Sequence, residues 1–212
     1  MPRFLVVLDA DSTLLEDEVI ELLADHAGTR PQVQAVTERA MRGEIDFTES
    51  LRERVATLAG LRVDVVTRAQ EAVRVTRGAE ELVRTVHAAG GTVGVVSGGF
   101  HEVLDPFAER LGLDHCRANR LDVVDGVLTG RVLGDVVDAH AKAATLRAWA
   151  AEDDVLLSRT VAVGDGANDL EMMRVAALAV AFDAKPRVRE QADVAVVDRD
   201  LSPVLAALGL RG

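Results

Sequence analysis

Cysteine occurs once in these 212 residues, at position 116, which rules out a disulfide or a thiolate metal cluster within one chain. A reducing compartment, and with it the cytoplasm, is the expected setting. Long apolar runs are missing too: nothing approaches the roughly 18 consecutive residues a membrane helix needs, and the N-terminal FLVVL reaches Asp9 too soon to be a signal peptide. No membrane partner is expected. Positive charge is in short supply, with 24 basic against 35 acidic residues and a formal net charge of −11. Nucleic acid and anionic membranes both require a positive surface, so neither is an expected partner, although a few converging cations can still hold a small anion. Lysine is the scarcest cation: among the 24 basic residues only Lys142 and Lys185 are lysines. A site that wants a compact ammonium with rotatable donors resists replacement by a planar guanidinium, so both are candidates for a function.

The chain is rich in core-forming material, with 49% hydrophobic residues, enough for one soluble domain and an insertion. Residues 4–8 (FLVVL), 92–96 (TVGVV), 160–163 (TVAV), 178–182 (LAVAF) and 194–197 (VAVV) are short, apolar, β-branched-rich runs that read as fully buried strands. Helical patterns alternate with them, as in GAEELVRTVHAAGG, where Leu82, Val83 and Val86 line one face and Gly90 and Gly91 stop the helix. This alternation predicts an α/β fold, a Rossmann-like parallel sheet with helices on both faces and right-handed crossovers. Two stretches break it. Residues 15–75 are polar and helix-patterned with no convincing strand, which predicts a small α-helical cap inserted after the first strand of a core made from residues 1–14 and 76–212. Residues 119–134 set two β-type runs around Asp125-Gly126, the composition of a tight type I′ hairpin. The C-terminal SPVLAALGL reads as a last short helix.

In open α/β sheets ligands bind beyond the carboxyl ends of the strands, so the residues that follow each run define the candidate site. After the first run comes DADST, after the second Ser97-Gly98-Gly99, and after the third Gly164-Asp165-Gly166-Ala167-Asn168-Asp169. Lys142 opens a helix after the hairpin. Clustered carboxylates suggest a hard divalent cation, and Mg²⁺ takes oxygen ligands in an octahedral shell completed by water and substrate phosphate. Asp9, Asp11 and Asp165 are the expected ligands; Asn168 and Asp169, three and four residues beyond Asp165, can face the same way on a helix. Thr13 or Ser12 is expected to cap the turn that leaves the first strand, and Ser97 with the amides after it offers a concavity for an anion. An aspartate so placed can attack phosphorus while its neighbour protonates the leaving alkoxide, which gives two adjacent carboxylates one task each. Water exclusion strengthens every charge in such a site, so the helical insertion is expected to act as a lid.

With DADST, the stretch AMRGEIDFTESLRERV, VVSGGF, ANRL with DGVLTG, VLGDVVDAHAKA and VAVGDGANDLEMM in place along nearly the whole chain, the sequence resembles the haloacid dehalogenase (HAD) superfamily of phosphatases. The resemblance implies Asp9 as nucleophile, Asp11 as general acid and base, Ser97 and Lys142 on the phosphoryl group, Mg²⁺ on Asp9, Asp11 (through its carbonyl) and Asp165, and Asp169 in support. It places Glu18 against a substrate amino group, Arg54 against a carboxylate, Met41 and Phe47 around a short stem, and Gly98 and Asn168 among the substrate contacts. The implied reaction is Mg²⁺-dependent hydrolysis of L-phosphoserine to L-serine and phosphate through a phosphoaspartate, the last step of serine biosynthesis. The chemistry agrees, because an amino-acid zwitterion needs one fixed charge of each sign. Ala10 and the DLEMM segment depart from the family pattern without removing a functional group. The chain opens on its first strand, so no regulatory domain ahead of it is expected; a homodimer is compatible with the resemblance.

Two other readings stay open. One hands the phosphoryl group to homoserine or a related alcohol instead of water; the other is a non-enzymatic receiver module, which needs neither Asp11 nor a cap. His101 is expected as an exposed helix residue, His26, His87, His115 and His140 show no metal-ligand spacing, and Lys185 in AKP is expected to support the last loop.

Overall fold

A computed structural model describes residues 1–210, with the side chain of Met41 outside that description. Seven strands run as β1 (Leu5–Leu8), β2 (Thr92–Phe100), β3 (His115–Val124), β4 (Val127–Leu133), β5 (Thr160–Gly164), β6 (Leu178–Phe182) and β7 (Val194–Val196). They form one sheet in the order β4-β3-β2-β1-β5-β6-β7, parallel throughout except for the β3–β4 pair. The fold is therefore the expected α/β architecture.

The four residues of β1 are all fully buried, which is why the strand reads as a continuous apolar run and not as an alternation. The alternation is still there in space. Val6 and Leu8 pack with α5 (Ala79–Ala88), α6 (His101–Leu111) and α10 (Ser202–Ala207) on one face, while Leu5 and Val7 pack with α7 (Ala139–Glu152) and α8 (Leu170–Val175) on the other. The chain leaves β1 for β2 on one side and returns to β5 on the other, so the sheet's topological switch lies at the carboxyl end of β1.

Four helices make up the insertion between β1 and α5: α1 (Val19–Ala27), α2 (Arg30–Met41), α3 (Phe47–Ala56) and α4 (Asp64–Ala72). Their apolar residues, Leu51, Val55, Val65 and Val66 among them, join the same hydrophobic cluster as Val6 and Leu8. The insertion enters and leaves side by side, with Leu15 bridged to Val75 and Thr76 N–H donating to the Leu14 carbonyl at 3.0 Å. It also touches the hairpin: Gly60 N–H donates to Leu128 O at 2.9 Å, Leu128 N–H to Leu61 O at 2.8 Å and Val63 N–H to Gly126 O at 2.9 Å. The hairpin turn has φ of +51° at Asp125 and +75° at Gly126, as a type I′ turn requires.

Two local expectations need correction. The hairpin's first strand begins four residues earlier than position 119, because residues 115–117 add a parallel pairing to β2 before β3 turns antiparallel to β4. His101 is not an exposed helix residue. Its Nε2 accepts from Ala118 N–H at 2.9 Å and its Nδ1 meets Asp105 Oδ1 at 2.6 Å, so it ties α6 to β3.

Candidate active site

Between β1 and α1 the chain makes a wide turn over Ala10–Leu14, closed by Leu14 N–H to Asp9 O and Leu15 N–H to Ala10 O. Asp11 leaves it with an extended backbone and Ser12 sits at φ +58°, which turns the chain sharply at the end of β1. Neither Ser12 nor Thr13 caps this turn as expected: Ser12 Oγ donates to Glu18 Oε1 at 2.8 Å, and the Thr13 hydroxyl is buried without a partner.

Asp9 is almost fully buried, and its Oδ1 accepts from Lys142 Nζ at 2.5 Å. Lys142 has no exposed surface. It reaches the site from the first turn of α7, where Asp138 caps the helix by accepting from Ala141 N–H at 2.8 Å. Its ammonium also donates to Asp169 Oδ1 at 2.7 Å, and the other oxygen of Asp169 takes Gly166 N–H at 3.0 Å. Burial works against the lysine's charge, but Asp169 and Asp9 outweigh it and hold the ammonium protonated. Asp9 is pushed the other way: burial, with the charges of Asp169 and Asp165, raises its carboxyl well above the usual range against the pull of Lys142.

Asp11 is raised as well, by burial first and by the Glu18 carboxylate next, and its Oδ1 is buried with no hydrogen-bond partner. Asp165 is pushed up to about 7 by burial and by Asp169. Perturbed carboxyls gathered in a cleft are a mark of functional sites. Oxygens of Asp9, Asp165 and Asp169 lie within 4.8 Å of one another, a donor set of the hard type that Mg²⁺ takes. Asp169 is already engaged through both oxygens, which leaves Asp9 and Asp165 as the side chains open to a cation.

These groups form the floor of a 720 Å³ cavity whose roof is the helical insertion. Asp9, Asp11, Glu18, Phe47, Arg54, Gly98, Asp165 and Asn168 all line it, as anticipated from the sequence. Ser97 lies buried beside it; its Oγ accepts from Gly99 N–H at 2.8 Å, which leaves the hydroxyl proton to donate elsewhere. Arg54 is half-buried on α3 with Nε donating to Ser50 O at 3.3 Å, and burial pulls its guanidinium below the ordinary value while Glu18, Asp11 and Glu21 oppose that. Met41, the other residue expected around the substrate stem, has its side chain outside the described residues.

Sequence reasoning missed Asn119 and gave Lys185 too narrow a role. Asn119 is buried in β3 and donates through Nδ2 to Gly98 O at 2.8 Å while its Oδ1 accepts from Val137 N–H at 2.8 Å. It thus joins the Ser97-Gly98-Gly99 end of β2, which continues as strand past position 96, to the segment leading into α7; its only sequence signal is a lone amide inside a strand-like run. Lys185 does not merely support the last loop, since it lines the cavity.

The comparisons with known proteins agree with this geometry. The haloacid dehalogenase-like hydrolase family pattern matches residues 6–174. The chain is 48% identical over 204 residues to the phosphoserine phosphatase of Streptococcus thermophilus, covering 96% of this chain and 95% of that protein. It is 56% identical over 206 residues to the phosphoserine phosphatase of Streptomyces coelicolor, covering 97% of this chain but spanning only 50% of that longer protein. A solved phospho-aspartyl intermediate analogue of phosphoserine phosphatase superposes with a TM-score of 0.92 at 41% identity, covering 100% of both chains. A substrate-bound phosphoserine phosphatase complex gives the same score, identity and coverage. With the family pattern matching most of its length and relatives at about half identity over nearly all of it, the chain belongs to the haloacid dehalogenase-like hydrolase family.

Proposed function

We propose that the protein is a phosphoserine phosphatase, which cleaves L-phosphoserine to L-serine and phosphate through a phosphoaspartate on Asp9. The observation that carries this reading is the pair formed by Asp9 and Asp11: one carboxylate anchored by Lys142, and beside it a carboxyl raised in pKa with one buried oxygen left without a partner.

With Oδ1 of Asp9 held by Lys142, Oδ2 is the oxygen left to attack phosphorus. The P–O bond to the serine oxygen breaks as the acyl phosphate forms, and the departing alkoxide takes the proton of the Asp11 carboxyl, whose pKa burial and Glu18 raise. Asp11, now a carboxylate, then accepts a proton from the water that attacks the phosphoaspartate. Phosphate leaves and Asp9 is restored. The Ser97 hydroxyl proton, and the one ammonium proton of Lys142 not given to Asp9 or Asp169, would meet the phosphoryl oxygens, where fixed donors cost no reorganisation during the reaction. The hard oxygen set suits Mg²⁺, which Asp9, Asp165 and the Asp11 carbonyl would hold; when bound it supplies positive charge against the phosphoryl oxygens.

Selectivity falls to the helical cap. Glu18 and Arg54 offer opposite charges across a cavity whose apolar lining includes Phe47, which matches the amino and carboxylate groups of a phosphorylated amino acid. Phosphate release from a panel of phosphorylated amino acids and sugars, with Mg²⁺ and with chelator, tests the reading. L-Phosphoserine is expected to be turned over with Mg²⁺ only, and Asp9→Asn to be inactive on the whole panel. Release that requires added homoserine would assign the protein to phosphoryl transfer, and absence of turnover would leave the receiver module.

A further inference from the structure

Of the two lysines of this arginine-rich chain, one lines the cavity and the other lies buried next to it. Lys142 lies beneath its floor, neutralised between Asp9 and Asp169. Lys185 lies on the wall, exposed, at the residue that precedes the short helix α9 (Pro186–Arg189) after β6. Among the described residues no carboxylate comes within ion-pair distance of Lys185, and Asp183, its nearest acidic neighbour in sequence, is taken by Arg199 at 2.9 Å.

The lining of the cavity is strongly acidic, with Asp9, Asp11, Glu18, Glu21 and Asp165 against Arg54 and Lys185. A phosphorylated amino acid carries net negative charge, so this wall repels the ligand the cavity is shaped to hold. Arg54 belongs to the cap side and faces the field of Glu18, Asp11 and Glu21. Lys142 already serves two carboxylates. Lys185 alone adds an uncommitted cation from the side of the core that carries Asp165 and Asn168.

We infer that Lys185 is the receiving cation for the substrate's phosphate, an electrostatic guide that offsets the acidic wall and draws the dianion toward Asp9. The inference rests on the phosphatase reading above. A charge of this kind attracts ground state and transition state alike, so it raises kcat/KM and leaves kcat nearly unchanged. It acts through solvent, so its effect fades as salt shortens the Debye length.

The test is Lys185→Gln and Lys185→Arg in the Mg²⁺-loaded enzyme, assayed on L-phosphoserine and on p-nitrophenyl phosphate across a salt series. Inorganic phosphate is used as a competing ligand, and thermal melting checks the fold. Lys185→Gln is expected to lower kcat/KM on both substrates by roughly three- to tenfold at low salt and to flatten the salt dependence. It should weaken phosphate inhibition by a similar factor, with kcat within about twofold, while Lys185→Arg keeps the salt dependence. Unchanged kcat/KM, a loss confined to kcat, or a loss on phosphoserine alone would each overturn the assignment. A wild-type enzyme that turns over no phosphomonoester would instead overturn the phosphatase reading itself, so the two failures are distinct.

Discussion

Phe47, the first residue of α3, lies so close to Gly98 that a Cβ built on the glycine would stand 2.7 Å from the ring's Cζ. The phenyl ring of the helical insertion therefore rests on the backbone of β2 at Gly98, the residue after Ser97. Ordinary carbon contacts sit at about 3.5–4.0 Å, so Gly98→Ala must push the ring back by close to 1 Å. Displacements of that size next to reacting groups are costly. Gly98→Ala is expected to lower kcat/KM for phosphoserine about tenfold or more, and Phe47→Leu to recover part of that loss in the double variant. Additive losses in the double-mutant cycle would show that the contact is not what matters.

Lys142 offers a second prediction, which separates stability from chemistry. Removing one partner of a buried ion pair leaves an uncompensated charge and costs about 3–5 kcal/mol. Lys142→Met strands Asp9 and Asp169 against each other, so its thermal midpoint should drop by about 10 °C at this chain length. Adding Asp169→Asn removes one of the two stranded charges and should restore part of the midpoint without restoring turnover. A single variant that melts like the parent would contradict the buried triad.

The central strands were legible because they are buried on both faces and so read as uninterrupted apolar runs, β1, β5 and β6 most clearly. Asp125-Gly126 announced the hairpin through two residues that tolerate positive φ. The opening of β3 was hidden, since its residues His115, Cys116 and Arg117 are half-buried and of mixed polarity, and only the register with β2 makes them a strand. The carboxylates of the site were readable from their place after the strands. Asn119 was not, and Lys185 stood out by its rarity but not by its place, because both depend on partners brought from elsewhere: the Gly98 carbonyl for one, an acidic wall for the other. Thr13 and Ser12 misled because a hydroxyl after a strand suggests a cap, whereas the wide turn carries Ser12 to Glu18 instead.

Asp165 predicts how the metal-free protein responds to pH. Its carboxyl is pushed up to about 7, mainly by burial, from an ordinary value of 3.8. Between those two values the folded state binds more protons than the unfolded one, so this group's contribution to stability is present at low pH and is lost as pH rises through about 7. In chelator, Asp165→Asn should therefore exceed the parent's melting point by a clearly larger margin at pH 8 than at pH 5. Mg²⁺ should reverse the order at pH 8 by stabilising the carboxylate only in the parent. Parallel melting curves for the two proteins from pH 5 to 8 would refute the assignment.

Cys116 is held as an inert thiol. Burial and the nearby Asp105 carboxylate push its pKa up to about 12, and its Sγ lies 3.6 Å from Asp105 Oδ1. Because the thiolate is the reactive form, alkylation of the native protein at pH 8 should run roughly a hundredfold or more slower than in denaturant. Asp105→Asn should speed it, with turnover unchanged. Fast native alkylation would mean that the β3 edge opens more readily than its hydrogen bonds suggest.

Arg54 anchors its Nε on the Ser50 carbonyl, which turns the guanidinium's terminal nitrogens toward a cavity already holding Glu18 and Asp11. A carboxylate entering that space can be gripped by two parallel N–H donors, a geometry an ammonium cannot reproduce. Charge-assisted hydrogen bonds of this kind contribute about 1.5–3 kcal/mol each, so Arg54→Ala should cut kcat/KM on L-phosphoserine by roughly tenfold to a hundredfold. Arg54→Lys should recover only part of it. On p-nitrophenyl phosphate, which has no carboxylate, the same variants should behave nearly as the parent does. If Arg54→Ala damages both substrates equally, the arginine serves the fold of the insertion and not the recognition of an amino acid, and substrate choice must then be sought in Glu18 and Phe47.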